Sequence, residues 1–156
     1  MLKKIISGGQ TGVDRAALDA AIRMGVPHGG WIPKGRLTED GPLPDTYHLD
    51  EMETDSYPDR TEKNVVVSDG TLIISRGPLT GGTDYTRKMV LKNGKQMLHI
   101  DLTLHSNPLD AASLVSSWIE MNRIEVLNVA GPRASKDPDI YGEALGILSH
   151  INPNVA

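Results

Sequence analysis

Residues 3–24, KKIISGGQTGVDRAALDAAIRM, decide the fold of this chain. They open with a short β-branched run over residues 3–7, which predicts a strand that stops at the following glycine pair. The apolar positions of residues 13–24 recur at intervals of three and one, which predicts a helix with one apolar face. Gly25 is a typical helix stop. The stretch is therefore a strand, a glycine loop and a helix.

Short apolar strands and longer helices continue to alternate along the chain. Further strands are predicted over residues 71–75, 96–100 and 126–130, and a less regular one within 26–33. Further helices are predicted over residues 59–69, 83–92, 107–122 and 140–150. Residues 34–58 are rich in glycine, proline and charge, and such a long excursion is typically either functional or mobile.

This alternation implies right-handed crossovers and a mostly parallel sheet. We therefore expect an α/β protein with a three-layer Rossmann-like fold and a sheet of about five strands. The 156 residues suit one hydrophobic core, and division into two domains would leave each half marginal. We expect a single domain over residues 1–156.

The composition argues against several classes of partner. The formal net charge is −4 and no basic run is interleaved with aromatic residues, so nucleic acid and anionic membranes are not expected partners. The chain has no cysteine, which excludes disulfides and thiolate chemistry, and its five histidines lack paired ligand spacing, so no metal site is expected. Without a signal peptide or a long apolar segment, a cytoplasmic location is expected.

Three glycine-bearing loops follow three predicted strands directly. They cover residues 7–12, 76–82 and 131–138. In a parallel sheet these loops lie at the same carboxyl edge, where ligands of open α/β sheets bind. Their convergence predicts a ligand site more strongly than any single loop does.

The first loop, GGQTG, has the features of a phosphate holder. Its glycines allow close backbone approach, and the helix that follows presents free N–H groups and the positive end of its dipole. Thr11 offers a hydroxyl and Arg15 a charge. Asp14 either satisfies backbone N–H groups or binds ligand hydroxyl or ring N–H groups. The loop matches neither the Walker A nor the G-x-G-x-x-G pattern, and a tight turn without a ligand is the alternative interpretation.

The second and third loops extend this pattern. Gly81-Gly82-Thr83 opens another helix, and two such helix starts suit a ligand with a phosphate and a polar ring system. Arg76 flanks the second loop. The third loop carries Arg133 and Lys136, a basic patch on an acidic protein, although a solvated surface loop has the same composition.

Three segments resemble the molybdenum carrier protein family: KIISGGQTGVDRAALDAA, SDGTLIISRGPLTGGTDYT and VLNVAGPRASKDP. This family is similar to the lysine decarboxylase-like, cytokinin-activating phosphoribohydrolases, which are Rossmann-like nucleotide-binding proteins. The resemblance covers nearly the whole chain. It implies binding of the molybdenum cofactor, a phosphorylated pterin (molybdopterin) with a dithiolene-held metal, and its protection or delivery to molybdoenzymes. By analogy with small proteins of this group, it also implies a homo-oligomer.

The loops and the resemblance together define one set of candidate ligand-binding residues. The set consists of Gly8, Gly9, Gln10, Thr11, Gly12, Asp14 and Arg15, then Arg76, Gly81, Gly82, Thr83 and Asp84, and finally Gly131, Arg133, Ser135 and Lys136.

One departure from the hydrolase pattern favours binding over catalysis. In the phosphoribohydrolases the second loop reads P-G-G-x-G-T-x-x-E, and the catalytic Glu falls here on Thr86. A threonine cannot act as the general acid or base that a carboxylate provides. Two alternatives stay open: a nucleoside monophosphate hydrolase that uses Asp14 or Asp84, and a sensor of a nucleotide-derived signal whose 36–58 loop closes over the ligand.

Overall fold

A computed structural model describes residues 1–154. Its helices are α1 (Val13–Met24), α2 (Tyr57–Val67), α3 (Gly81–Lys92), α4 (Pro108–Met121) and α5 (Ile140–Leu148). Its strands are β1 (Lys4–Ile6), β2 (His28–Gly29), β3 (Trp31–Ile32), β4 (Leu37–Thr38), β5 (Gly41–Pro42), β6 (Asp50–Glu51), β7 (Gly70–Ser75), β8 (Gln96–Asp101) and β9 (Val126–Ala130). No helix within these residues is long and apolar enough to cross a membrane.

The predicted fold class is confirmed. Five strands form one parallel sheet in the order β2-β1-β9-β7-β8. Helices α1, α4 and α5 pack together, and α2 packs against α3, so the sheet lies between two helical layers. Alternate residues of the central strands enter each layer, and the larger core joins the sheet to α1, α4 and α5. The result is a three-layer Rossmann-like fold.

Helix α1 has the bounds that its apolar spacing predicts. Its apolar face is buried, and Gly25 ends it in the left-handed conformation with φ 70°. Helix α2 begins two residues earlier than predicted, because Ser56 Oγ accepts a hydrogen bond from the Asp59 backbone N–H at 3.2 Å. Helix α3 begins at Gly81, two residues before the predicted start.

One strand is expected within residues 26–33, but the structure has two short strands there, and they belong to different sheets. Strand β2 pairs with β1 in the main sheet, whereas β3 pairs with β6 in a separate two-stranded sheet. Gly30 separates them with φ +124°, and a Cβ there would lie 2.1 Å from the Ser7 carbonyl oxygen. A glycine at this position therefore turns the chain out of the main sheet.

The excursion, which in the structure covers residues 33–56 between β3 and α2, is fixed by polar contacts. It contains the β4–β5 hairpin, and the Arg36 guanidinium donates to the carbonyl oxygens of Leu43, Pro44 and Tyr47. The Tyr47 hydroxyl donates to Asp19 on α1 at 2.6 Å. The excursion thus packs against α1 as part of the fold.

The sheet order creates a switch point beside β9. Strand β9 lies between β1 and β7, and the chain leaves β1 toward β2 but leaves β7 toward β8. The crossovers through α1 and α3 therefore occupy opposite layers. A crevice forms at the carboxyl edge of the sheet between them, where the three glycine loops emerge.

Candidate functional site

A cavity of about 440 Å³ opens at this carboxyl edge. The three glycine loops, the start of α3 and one face of α2 form its walls. Of the candidate ligand-binding residues, those that line it are Gly8, Gln10, Asp14, Gly81, Gly82, Thr83, Gly131, Arg133 and Lys136. The fold therefore brings parts of all three loops to one cavity.

Three residues of the first loop and α1 lie outside that lining for steric or packing reasons. Gly9 has φ +73° and faces the excursion, where a Cβ would meet Leu49, Ile32 and Leu43 at 3.0–3.2 Å. Gly12 has φ +78° and abuts the third loop. Arg15 donates to the Gly9 carbonyl oxygen at 3.4 Å and lies over the Tyr47 ring, on the side of the excursion.

The other four predicted residues outside the lining form hydrogen bonds or ion pairs with side chains of this same chain. Thr11 and Ser135 both donate to the Glu39 carboxylate. Arg76 forms ion pairs with Asp137 and Glu143, and Asp84 pairs with Arg87 and Lys88 on the surface of α3. Asp84 is therefore not placed to replace the missing catalytic Glu in this cavity.

Asp14 is the buried carboxyl of the cavity, with 7% of its surface exposed. Its Oδ2 accepts the Gln10 backbone N–H at 3.3 Å, and the Ser7 hydroxyl donates to its carbonyl oxygen at 2.8 Å. Burial raises the pKa of Asp14 to about 6, against the opposing effect of Arg60. Asp14 thus satisfies a loop N–H group and also borders the space that a ligand would fill.

Arg60 is a site residue that the sequence analysis missed. It is 8% exposed and donates through Nη1 to the Gly8 carbonyl oxygen at 2.6 Å. Its guanidinium fills the space where a Gly8 Cβ would stand, 2.1 Å from Nη1, so Gly8 must remain a glycine to admit it. Burial lowers the pKa of Arg60, and the Asp14 carboxylate opposes that effect.

A sequence pattern could have indicated this wall. Tyr57, Arg60, Thr61 and Asn64 recur at helical spacing, and all four line the cavity. A polar stripe on a helix that leads into a buried strand indicates a site as readily as a solvated face. Asn64 also holds the Trp31 backbone through two hydrogen bonds. Its Oδ1 accepts the Trp31 backbone N–H at 2.8 Å, and its Nδ2 donates to the Trp31 backbone carbonyl oxygen at 3.0 Å.

The start of α3 presents backbone donors to the cavity. Thr80 precedes the helix, and within the described residues no side chain caps it; the Thr80 carbonyl oxygen accepts the N–H groups of Thr83 and Asp84 instead. Gly82 has open space where a side chain would project. The helix start therefore offers N–H groups and a positive dipole end to an anion.

The floor of the cavity includes the end of β9. The Asn128 side chain is buried and donates through Nδ2 to Thr71 Oγ1 at 3.2 Å. Thr86, at the position of the hydrolase Glu, also lines the cavity and donates its hydroxyl to the Gly82 carbonyl oxygen at 3.1 Å. Among residues 1–154 no group of three or more His, Asp or Glu side chains is placed to hold a metal.

The charges around the cavity suit a ligand with an anionic end and a polar ring. Arg60, Arg133 and Lys136 supply positive charge, and the start of α3 adds backbone donors. Asp14 and Asn128 supply hydrogen-bonding groups, and Tyr57 adds an aromatic surface. These are the few convergent polar groups that small-molecule sites combine with apolar walls.

Comparisons with known proteins agree with this architecture. The sequence profile of the circularly permutated YpsA SLOG family matches residues 5–152. A crystal structure of a putative molybdenum carrier protein from Syntrophus aciditrophicus SB superposes with a TM-score of 0.92 at 55% sequence identity. The match covers 96% of this chain and 94% of that chain. No curated protein sequence matches significantly. The chain therefore belongs to the circularly permutated YpsA SLOG family.

Proposed function

We propose that this chain is a binding and carrier protein for a phosphate-bearing cofactor, and that this cofactor is the molybdenum cofactor, molybdopterin. The observation that carries the proposal is the convergence of three glycine loops on one cavity that combines a helix start, three cationic side chains and a buried carboxyl. The name of the 55% identical relative, a putative molybdenum carrier protein, supports it.

The residues around the cavity fit such a ligand. The start of α3, with Lys136 and Arg133, would hold the phosphate, because backbone N–H groups and cations favour an oxoanion there. Asp14 and Asn128 would accept the ring N–H groups of the pterin. A volume of about 440 Å³ lies within the range of roughly 300–1,000 Å³ that is typical of small-molecule sites. The cofactor itself supplies the dithiolene and the metal.

The same proposal includes the cellular setting. The chain would act as one domain, as a homo-oligomer in the cytoplasm, and would pass its cofactor to molybdoenzymes. The same groups would also suit another phosphorylated, nucleotide-like ligand, because they recognise a phosphate and a polar ring system.

Gly82→Val tests the proposal cleanly. Gly82 has an ordinary backbone conformation and open space at its Cβ, so valine leaves the fold intact and projects into the cavity region. We expect anaerobic equilibrium dialysis against isolated molybdopterin to show at least a ten-fold weaker Kd than for the wild type. Gly142→Val is the matched control, because Gly142 also has open space but lies on α5 away from the cavity. Equal affinity of all three proteins would overturn the proposal.

A substitution at Gly9 is a poor test. Its positive φ and its contacts with the excursion strain any side chain there, so Gly9→Val would lose affinity by disturbing the fold.

One observation favours an enzyme as the second candidate. Asp14 lines the cavity and has a pKa raised to about 6, which suits a general acid or base near neutral pH. A nucleoside monophosphate hydrolase would then release free base from a panel of nucleotides, and Asp14→Asn would abolish that release. Absence of turnover across the panel rejects this candidate and leaves the carrier proposal unaffected.

A further inference from the structure

Glu39 lies at the tip of the β4–β5 hairpin and reaches back to the first glycine loop. The turn is fixed by Thr38, whose hydroxyl donates to the Gly41 carbonyl oxygen at 2.6 Å and accepts the Asp40 N–H at 3.1 Å. The Glu39 backbone N–H donates to Gln10 Oε1 at 2.9 Å. The hairpin therefore holds this carboxylate over the glycine loops.

The Glu39 carboxylate is bound by donors from two of the three loops. The Thr11 hydroxyl and the Ser135 backbone N–H donate to Oε1, the latter at 3.1 Å. The Ser135 hydroxyl donates to Oε2 at 2.5 Å, and Arg133 Nε lies 3.6 Å from the same oxygen. Hydrogen bonds from Ser135 and Thr11 lower the pKa of Glu39, so the group is an anion at neutral pH.

This donor set has the chemistry of an oxoanion site. Two hydroxyls, one backbone N–H and one guanidinium converge on two oxygen atoms, which is how proteins recognise phosphate, sulfate and carboxylate groups. Thr11 is itself positioned, because its Oγ1 accepts the Ala134 N–H at 3.1 Å. Arg133 and Ser135 are exposed residues, whereas the Glu39 side chain is only 18% exposed. An oxoanion from solution can therefore reach these donors once the Glu39 carboxylate moves away.

We propose that Thr11, Arg133 and Ser135 form a second oxoanion-binding site, which the chain's own Glu39 carboxylate fills and for which an external oxoanion competes. Gln10 and Arg133 also line the main cavity, so displacement of Glu39 would change one wall of it. This inference goes beyond the proposed function, since it requires neither molybdopterin nor any other particular cofactor.

Inorganic phosphate is the probe, and Glu39→Ala is the variant that vacates the site. We expect an NMR titration of Glu39→Ala to shift the amide signals of Ala134 and Ser135, with a Kd at least ten-fold lower than in the wild type. Glu53→Ala is the matched control: Glu53 is an exposed carboxylate of the same excursion and should leave the wild-type response unchanged. Adding Ser135→Ala to Glu39→Ala should weaken phosphate binding again.

Two results of the Glu39→Ala titration would overturn the proposal: equal phosphate affinity in Glu39→Ala and wild type, or shifts confined to Gly81–Thr83. The second result would place phosphate in the main cavity only, which separates this inference from the proposed function. If Glu39→Ala does not fold, Glu39→Gln keeps the size and the acceptor for Thr11 while removing the charge. Its phosphate Kd should then be several-fold below that of the wild type, and no gain would also overturn the proposal.

Discussion

Asp14 is a carboxyl whose burial at the wall of the cavity opposes its ionisation. A carboxyl that is 7% exposed loses most of its hydration, and Arg60 and the Gln10 N–H restore only part of that loss. The pKa of Asp14 is raised because part of the desolvation penalty on the charged form remains. Such a cost at a cavity wall is typical of a residue retained for binding or chemistry.

Asp14→Asn should therefore stabilise the ligand-free protein. Because the folded pKa of about 6 lies above the unfolded value of 3.8, the free energy of unfolding falls as pH rises between these values. The charged form costs roughly 3 kcal/mol above pH 6 at this shift. We expect urea unfolding at pH 7.5 to show a more stable variant, and its stability to vary less between pH 4 and 6. A less stable variant at pH 7.5 would contradict this explanation.

Position 12 requires a glycine for two reasons, its backbone conformation and the close approach of the third loop. Its φ is +78°, and a Cβ would lie 2.3 Å from the Pro132 carbonyl oxygen. Gly25 has a similar φ of +70° but nothing within 4 Å of its Cβ position. Gly25→Ala should cost about 1 kcal/mol from backbone strain alone.

Gly12→Ala should cost about 1–3 kcal/mol more than Gly25→Ala, because the first and third loops must also move apart. Thermal unfolding of the two variants checks the difference. Equal losses would show that the approach of the two loops at Gly12 does not matter for stability.

At the scale of elements, one carboxylate joins the excursion to the helical layer. Asp19 on α1 accepts the hydroxyl of Tyr47 from the excursion at 2.6 Å and that of Tyr141 from α5 at 2.5 Å. Burial raises the pKa of each tyrosine to about 12, with the Asp19 hydrogen bonds acting in the same direction. The two hydroxyls thus remain donors across the physiological pH range.

Tyr47→Phe and Tyr141→Phe form a matched pair. Each removes one hydrogen bond to a charged acceptor and should cost about 1–3 kcal/mol of stability. Tyr47→Phe alone should accelerate hydrogen exchange over residues 36–51, because only Tyr47 belongs to the excursion. The same acceleration in Tyr141→Phe would show that Asp19, and not the Tyr47 contact, orders this segment.

Elements with local causes were predictable from the sequence, and contacts between distant segments were not. The apolar spacing of α1 and the glycine after it are local, and the prediction matched both ends of the helix. The split at Gly30 depends on the Ser7 carbonyl oxygen, and the place of Arg60 depends on the packing of α2 over Gly8. Thr11 and Ser135 were predicted as ligand donors because nothing in a local pattern shows that Glu39 contacts them.

At the scale of the whole molecule, the sheet order decides where the cavity forms. Strand β9 lies between two strands whose crossovers occupy opposite layers, so three loops far apart in sequence meet at one edge. Arg60 from α2 and the start of α3 close that edge into a cavity. The central claim is that this cavity holds a phosphate-bearing cofactor.

Native mass spectrometry of the protein purified from cells that make molybdenum cofactor tests this claim most directly. We predict a phosphorylated pterin bound at up to one per chain in the wild type and in Gly142→Val, and its loss from Gly82→Val. A wild-type protein that carries no phosphate-bearing molecule, or a Gly82→Val protein that carries the same amount, would contradict the account.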